Sequence, residues 1–298
     1  MNTPQKAASE RKHKSSGRSG WRWLLWISAA LFVALLGAAL WILHSQSGAG
    51  FVLARVQAAL DGKLSISRHD GTLSGPLRLE GLRYNDPSAG MDARIDSIEV
   101  DADLLALLNS RLEISAISVD GVQLALTTVP DDPDQAPSEI SLKAPIDIVV
   151  KQLGLRSAAI SMDGESILAV DSLNLIAGWT ATGIVVRQLD LRSPDGQVAL
   201  NGSLVTAKGY SGSGETNFRW KAGDVQLAGV LKSSSDGKRA QLHLDLTEPT
   251  PATLVMDVGQ SRDAPWTLQL DTPAFEAKRI LPDSMLGTIA LDLHGSGT

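Results

Sequence analysis

From Leu64 onward, apolar and polar residues alternate with a period of two, in short runs broken by turn-forming pairs. The first runs are Leu77/Leu79, Leu82/Tyr84, Ile98/Val100, Leu112/Ile114, Ile117/Val119 and Val122/Leu124/Leu126. They continue as Ile146/Ile148/Val150, Leu173/Leu175, Val198/Leu200, Leu242/Leu244/Leu246, Leu254/Met256/Val258, Leu268/Leu270 and Ile289/Leu291/Leu293. Successive side chains of a strand point to opposite faces, so this pattern describes strands with one apolar and one polar face. The polar positions are Asp, Ser, Arg, Gln, Lys and Asn, as a solvated face requires. Asp-Gly at 61–62, 70–71, 120–121, 163–164, 195–196 and 236–237, and Asn-Gly at 201–202, supply positive φ at tight turns and bulges. Treating each run as a strand predicts about fifteen to seventeen strands, nearly all antiparallel.

Ahead of Leu64 the period is helical. Trp23 to Leu43 carries no charge. At about 1.5 Å per residue it makes a helix of roughly 31 Å, matching a hydrocarbon core of about 30 Å. Trp21, Trp23 and Trp26 stand at one end and Trp41 at the other, where amphipathic rings favour the headgroup layer. Arg22 and five more basic residues precede the run, opposed by Glu10 alone. The positive-inside rule then puts the N-terminus in the cytoplasm and everything after His44 outside. A cleaved signal peptide is the alternative, with Ser45-Gln46-Ser47 as a weak site, but the apolar run exceeds the usual signal core. Ser47 to Leu60 reads as a short amphipathic helix, either on the outer leaflet or packed on the adjoining β domain, stopped by Asp61-Gly62. Leu104 to Asn109 reads as a short helical connector.

The pattern implies a chain in five parts. Residues 1–22 form a basic tail, 23–43 a transmembrane anchor and 47–60 the short helix. Residues 63–129 form a first β segment and 138–298 a continuing one, divided by a loop running from Pro130 to Pro137. So many strands with so little helix pose a question of cover, because the apolar face of a sheet must meet something. Either the sheets pack on each other as a filled sandwich, or they form an elongated, open antiparallel β-trough, taco-like, whose apolar interior meets a greasy ligand. Aromatic residues, which fill wide sandwich cores, are only 4% of the chain, and slim aliphatics are spread evenly along it. That favours the trough and leaves the sandwich open.

Charge and composition narrow the function. Residues 1–22 hold six basic side chains and one acidic, and the whole chain is −6, which leaves −11 for the rest. An acidic outer part argues against nucleic acid and against an anionic membrane surface as its main partner, and membrane topology accounts for the basic tail. There is no cysteine, so disulfides and cysteine-ligated metals are excluded. The five histidines, His13, His44, His69, His243 and His294, lack metal spacing. Neither Gly-rich stretch, 71–75 or 209–214, leads into Gly-Lys-Ser/Thr, and Asp101 and Asp103 read as solvated acids on a strand. No enzyme, metal or cofactor is expected.

The run LSISRHDGTLSGPLRLEGLRY (64–84), followed by DSIEVDADLLALLNSRLEISAISVDGVQLAL (96–126), resembles the N-terminal part of the TamB family, in the AsmA-like bridge-type lipid-transfer superfamily. The order of basic tail, single span, short helix and strand pairs is similar too. The resemblance is specific over about 21–126 and general beyond. It implies a single-pass protein of the bacterial inner membrane whose bulk projects through the periplasm. Such a protein carries phospholipid toward the outer membrane along a hydrophobic groove. It also implies an alternative, a translocation and assembly subunit supporting outer-membrane β-barrel and autotransporter assembly and protein secretion. The partner there is a TamA-like outer-membrane barrel, met through a C-terminal part absent here. A membrane-tethered structural β-domain is a third possibility. The family is longer than this chain, so a fragment lacking its C-terminal region is expected.

Shared parity within each strand predicts the groove lining. It comprises Leu77, Leu79, Ile98, Val100, Ile114, Val122 and Leu124 in the first β segment, and Ile148, Leu173, Leu175, Leu242, Leu244, Leu268 and Leu291 in the second.

Overall fold

The computed structural model describes residues 41–128, 144, 146–206, 209–259, 264–276 and 287–297. Among them lie one α-helix of length, a short 3-10 helix and fourteen strands in a single sheet. Trp41–His44 form a helical turn. Ser45 separates it from helix α1 (Gln46–Ala59), donating its hydroxyl to Trp41 O at 2.6 Å and accepting from Gly48 N at 2.9 Å. One side chain thus closes one helical turn and caps the next. Asp61 and Gly62, at φ +49° and +77°, end the helix where the Asp-Gly pair predicts a stop. No helix among the described residues is long and apolar enough to cross a membrane. The predicted span lies outside them except for Trp41–Leu43, as do Trp21, Arg22, Trp23 and Trp26.

The strands are β1 (Leu64–Gly71), β2 (Leu77–Asp86), β3 (Met91–Asp103), β4 (Arg111–Leu126), β5 (Asp147–Met162), β6 (Glu165–Thr180) and β7 (Gly183–Ser193). There follow β8 (Gly196–Val205), β9 (Ser211–Ala222), β10 (Val225–Asp236), β11 (Arg239–Glu248), β12 (Ala252–Gly259), β13 (Trp266–Glu276) and β14 (Thr288–Gly297). Their order in the sheet is their order in the sequence. Most therefore reach their neighbours by short connections, such as the two-residue turn Asp163–Gly164, whose two positive φ angles suit a hairpin. The exception in direction is β4–β5, which pair in parallel from Arg111↔Asp147 to Leu126↔Met162. A parallel pair needs a long return, and the segment from 127 to 146 supplies it. The sheet continues across this seam. The 3-10 helix Leu104–Asn109 connects β3 to β4.

Fourteen strands replace the expected fifteen to seventeen because several parity breaks fall inside strands. In β4 the apolar set is Leu112 and Ile114, then Ile117 and Val119, then Val122, Leu124 and Leu126. The first break is a bulge, where Asp101 faces Ala116 while Ala102 faces Ile114. The second is Gly121, at φ +68°. Its position lies in register with Gly81 of β2 (φ +64°) by way of Asp96, and with Ser157 of β5 (φ +58°). A left-handed residue at the same level on three strands makes a crease across the first part of the sheet. It interrupts alternation without shifting the pairing of β1–β4. The glycines are required there: a Cβ on Gly121 would lie 1.9 Å from Asp96 Oδ2, and one on Gly81 2.6 Å from Ser67 Oγ. Asp120-Gly121 and Asn201-Gly202 are therefore strand interiors, not turns.

The sheet is open. Among the described residues no large side chain is fully buried, and the buried apolar residues are Ala49, Ala102, Ala144, Val170 and Ala228. A sandwich would bury its long aliphatics between two layers. This sheet leaves them half-exposed, so the filled-sandwich alternative does not describe it.

Candidate functional site

Residues directly opposite on paired strands share a face, so register can be followed across the whole sheet. Starting at Gly71 of β1, the partners are Leu77, Val100, Ile117, Leu153 and Leu175 on β2 to β6. They continue through Leu189, Leu200, Thr216, Leu231 and Leu244 on β7 to β11. Leu254, Leu270 and Leu293 complete the row on β12 to β14. All fourteen strands contribute one residue, and every member but Gly71 and Thr216 is aliphatic. At about 4.8 Å between strands the row is roughly 60 Å long.

A second row lies one pleat away. It runs from His69 through Leu79, Ile98, Val119, Leu155 and Leu173. It goes on through Leu191, Val198, Phe218, Gly229 and Leu246. On the other side, Ile114 leads through Val150, Ala177 and Val186 to Gly202, and Ile148 through Trp179 and Ile184 to Leu204. Strand β8 alternates without a break from Val198 to Leu204, which puts these rows on the face of Leu200. The apolar band is thus three or four side chains wide, about 13–20 Å.

The structure accordingly places twelve of the fourteen predicted lining residues on one continuous face. They are Leu77, Leu79, Ile98, Val100, Ile114 and Ile148, then Leu173, Leu175, Leu242, Leu244, Leu268 and Leu291. Val122 and Leu124 lie beyond the crease, in register with Ile95 and Ala93 and with Ala158 and Ile160. The left-handed Gly121 between them and Val119 resets the pleat, so they extend the apolar band as a flap rather than continuing the main rows. Leu153, Leu155, Leu189, Leu191 and Phe218 were not among the predicted set. L-x-L at 153–155 and 189–191 was the available signal, and Phe218 had none beyond its parity.

Beside Leu200 the band changes texture. Gly202, Gly214 and Ser233 follow Val186, and Gly212 and Ser235 follow Leu204. These small side chains leave a recess of about 310 Å³, walled by Ile184, Val186, Leu204 and Leu242. A larger recess of about 780 Å³ lies on the polar face, lined by Asn174, Asp190, Arg192, Gln197, Asn217 and Arg219. Ala199, Ala228 and Val230 line it too, among charged and amide side chains, and we place the functional surface on the apolar face, which no second layer covers among the described residues.

The ion pairs seen among the described residues lie on the polar face and at the turns. Arg156 donates from Nε and Nη2 to the two carboxylate oxygens of Asp120, at 2.6 and 3.0 Å, tying the parallel seam. These hydrogen bonds hold Asp120 below the usual carboxylate range. Lys63 donates to the buried Asp86 at 2.7 Å, Ser88 adds a hydroxyl, and Asp86 is driven far below its ordinary value. Partial burial pushes Asp92 up, but Arg83 and Arg94 outweigh it and hold it low. No group of three or more metal-ligating side chains occurs among the described residues.

A family model described as the TamB N-terminal domain matches residues 35–186, just over half of the chain. The chain belongs to the TamB family. Among curated proteins none matches it. The TamB match takes in α1, β1 to β6 and the start of β7. The sheet runs on from there to β14 with the same apolar row, so the structural feature outlasts the recognised sequence.

Proposed function

We propose that this TamB-family chain is a conduit for phospholipid. It is held in the inner membrane of the bacterial envelope by Trp23–Leu43, with its N-terminus cytoplasmic and its β sheet in the periplasm. The observation that carries this reading is the transverse aliphatic row from Leu77 to Leu293, unbroken but for Thr216 and uncovered by any second layer among the described residues. Exposing acyl chains to water costs about 0.8 kcal/mol per methylene, so two chains of some 30 methylenes cost on the order of 20 kcal/mol. A greasy band curled into a trough removes most of that cost and leaves the headgroup outside. Similar side chains along the row give similar affinity at each step, which permits sliding. Leu, Ile and Val offer no deep pocket to trap a lipid. The protein does no covalent chemistry and needs no cofactor in this reading.

Native mass spectrometry of the detergent-purified chain tests it. Phospholipid adducts are expected, and Val100→Asp is expected to remove them while the far-ultraviolet circular dichroism of the sheet persists. A lipid-free wild-type chain would overturn the reading.

A second reading draws on the strand edges. Among the described residues β14 pairs through one edge alone, with β13. A strand of an outer-membrane protein could add there by backbone pairing, as assembly with a TamA-like partner would require. Co-purification of such a barrel, abolished by proline at β14 but not by Val100→Asp, would favour it.

A further inference from the structure

Helix α1 carries more apolar surface than its packing on β1 covers. Gln46, Gly50, Leu53 and Gln57 recur at helical spacing on the side that meets β1. There Gln46 Nε2 donates to Asp70 Oδ1 at 3.2 Å, and a Cβ on Gly50 would lie 2.9 Å from His69 Nε2. The opposite side carries Phe51, Ala54, Ala58 and Ala59, all exposed. Arg55 is the one charge in the helix, and its guanidinium lies 5.4 Å from the centre of the Phe51 ring. Gly48 and Ala49 are buried and Val52 and Leu53 half-buried, yet apolar groups also turn outward, with Phe51 49% and Val56 41% exposed. Water gives no reason for that arrangement.

Two observations say what covers the outward face. Leu43 is the last residue of the predominantly apolar run that begins at Trp23, so α1 starts three residues after a segment of bilayer-spanning length ends. The junction is also fixed to the sheet. Ser74, between β1 and β2, donates from N and Oγ to Leu43 O at 3.0 and 2.9 Å, and its Oγ meets His44 Nδ1 at 2.6 Å.

We propose that α1 lies in the outer leaflet of the membrane from which Trp23–Leu43 emerges. Phe51, Ala54, Ala58 and Ala59 sit at the boundary of headgroup and acyl chain, and Arg55 reaches the phosphates. Gly71 and His69, where the two main apolar rows begin, are then held beside the leaflet, and an acyl chain enters the band without crossing water. This rests on the anchored-conduit reading above.

The absence of cysteine makes a direct test simple. The full chain is reconstituted in vesicles of phosphatidylethanolamine and phosphatidylglycerol, with a nitroxide on one introduced cysteine. Collisions with dissolved oxygen, which concentrates in lipid, are compared with collisions with a water-soluble nickel chelate. Ala54→Cys and Ala58→Cys labels are expected to favour oxygen, and a Lys238→Cys label in the β10–β11 turn to favour nickel. If either α1 label is as open to nickel as the one at 238, the placement of α1 is wrong. A Leu36→Cys label separates the two failures. If it lies in lipid while α1 lies in water, only this inference falls; if it too lies in water, the anchor falls with it.

Discussion

The first six strands and the last eight build the same apolar row from different materials. Strands β4, β5 and β6 are 16 residues each and carry the row in their middle, with further apolar pairs on both sides. Their extra length lies past the crease at Gly81, Gly121 and Ser157, where Val122, Leu124, Val170 and Leu168 form the flap. Strands β7 to β14 are 8 to 12 residues long, and those after β7 keep one parity through the row. The family match ends at the change from one to the other. What persists across it is neither strand length nor motif but one aliphatic residue at one level on every strand except β1 and β9. Selection for a continuous greasy path would leave that trace; selection for a packed core would concentrate bulk at a centre.

The largest expected effect breaks or keeps the equivalence of the two regions. A carboxylate in an apolar band is costly to desolvate, and a path in series is blocked by one barrier anywhere along it. Val100→Asp in the first region and Leu254→Asp in the second should each lower lipid transfer or photocrosslinked lipid beyond the block by at least about tenfold. If Leu254→Asp transfers as wild type does, the path ends before β12 and the later strands serve another purpose. If both variants unfold, the row is a core after all.

Next in size is the crease. Gly121→Ala forces a Cβ into the left-handed region, at roughly 1–2 kcal/mol, and drives it against Asp96. Gly214→Ala, on an extended strand of the second region, meets Ser233 Oγ at 3.1 Å, and that hydroxyl can rotate away. Urea titration should show Gly121→Ala destabilised by about 1–3 kcal/mol and Gly214→Ala within about 1 kcal/mol of wild type. Equal costs would mean that the crease is no more demanding than any other glycine in the sheet.

The crease also explains what could be read from the sequence and what could not. Period-two alternation gave the strands, the two faces and most of the residues that share the apolar one, because Leu77, Leu173 or Leu244 need only their neighbours two places away to declare a side. The Leu104–Asn109 connector was legible from its unbroken apolar run. Strand number was not. A break such as Val119 to Val122 looks the same whether the chain turns back or only twists through Gly121. The parallel seam was hidden for a related reason: a loop holding Pro130 and Pro137 can return a strand in either direction. Register is a relation between strands and appears in neither strand alone, so the single row from Leu77 to Leu293 could not be seen before the pairing was known. In α1 the helical spacing was visible, but which side met β1 was not.

The smallest effect distinguishes the regions by acid. Five carboxylates of the first region, Asp86, Asp92, Glu113, Asp120 and Asp163, are held below their ordinary values by hydrogen bonds and neighbouring cations. Asp236 and Asp257 are their counterparts in the second. A carboxyl that titrates lower folded than unfolded binds more protons when unfolded, so stability rises with pH across that interval. The contribution is complete above the unfolded value, near 3.8 for Asp and 4.5 for Glu113, and is lost as pH falls through the folded one. Hydrogen exchange, corrected for intrinsic rates, should therefore show β1 to β6 losing more protection than β7 to β14 as pH is lowered from about 5 to about 3. Most of these groups are exposed enough for salt to screen them, so raising the ionic strength should shrink the difference. Equal loss in both regions would mean that the pairs at Asp86 and Asp120 decorate the first region without setting its acid stability. The crease and the seam would then stand on backbone pairing alone.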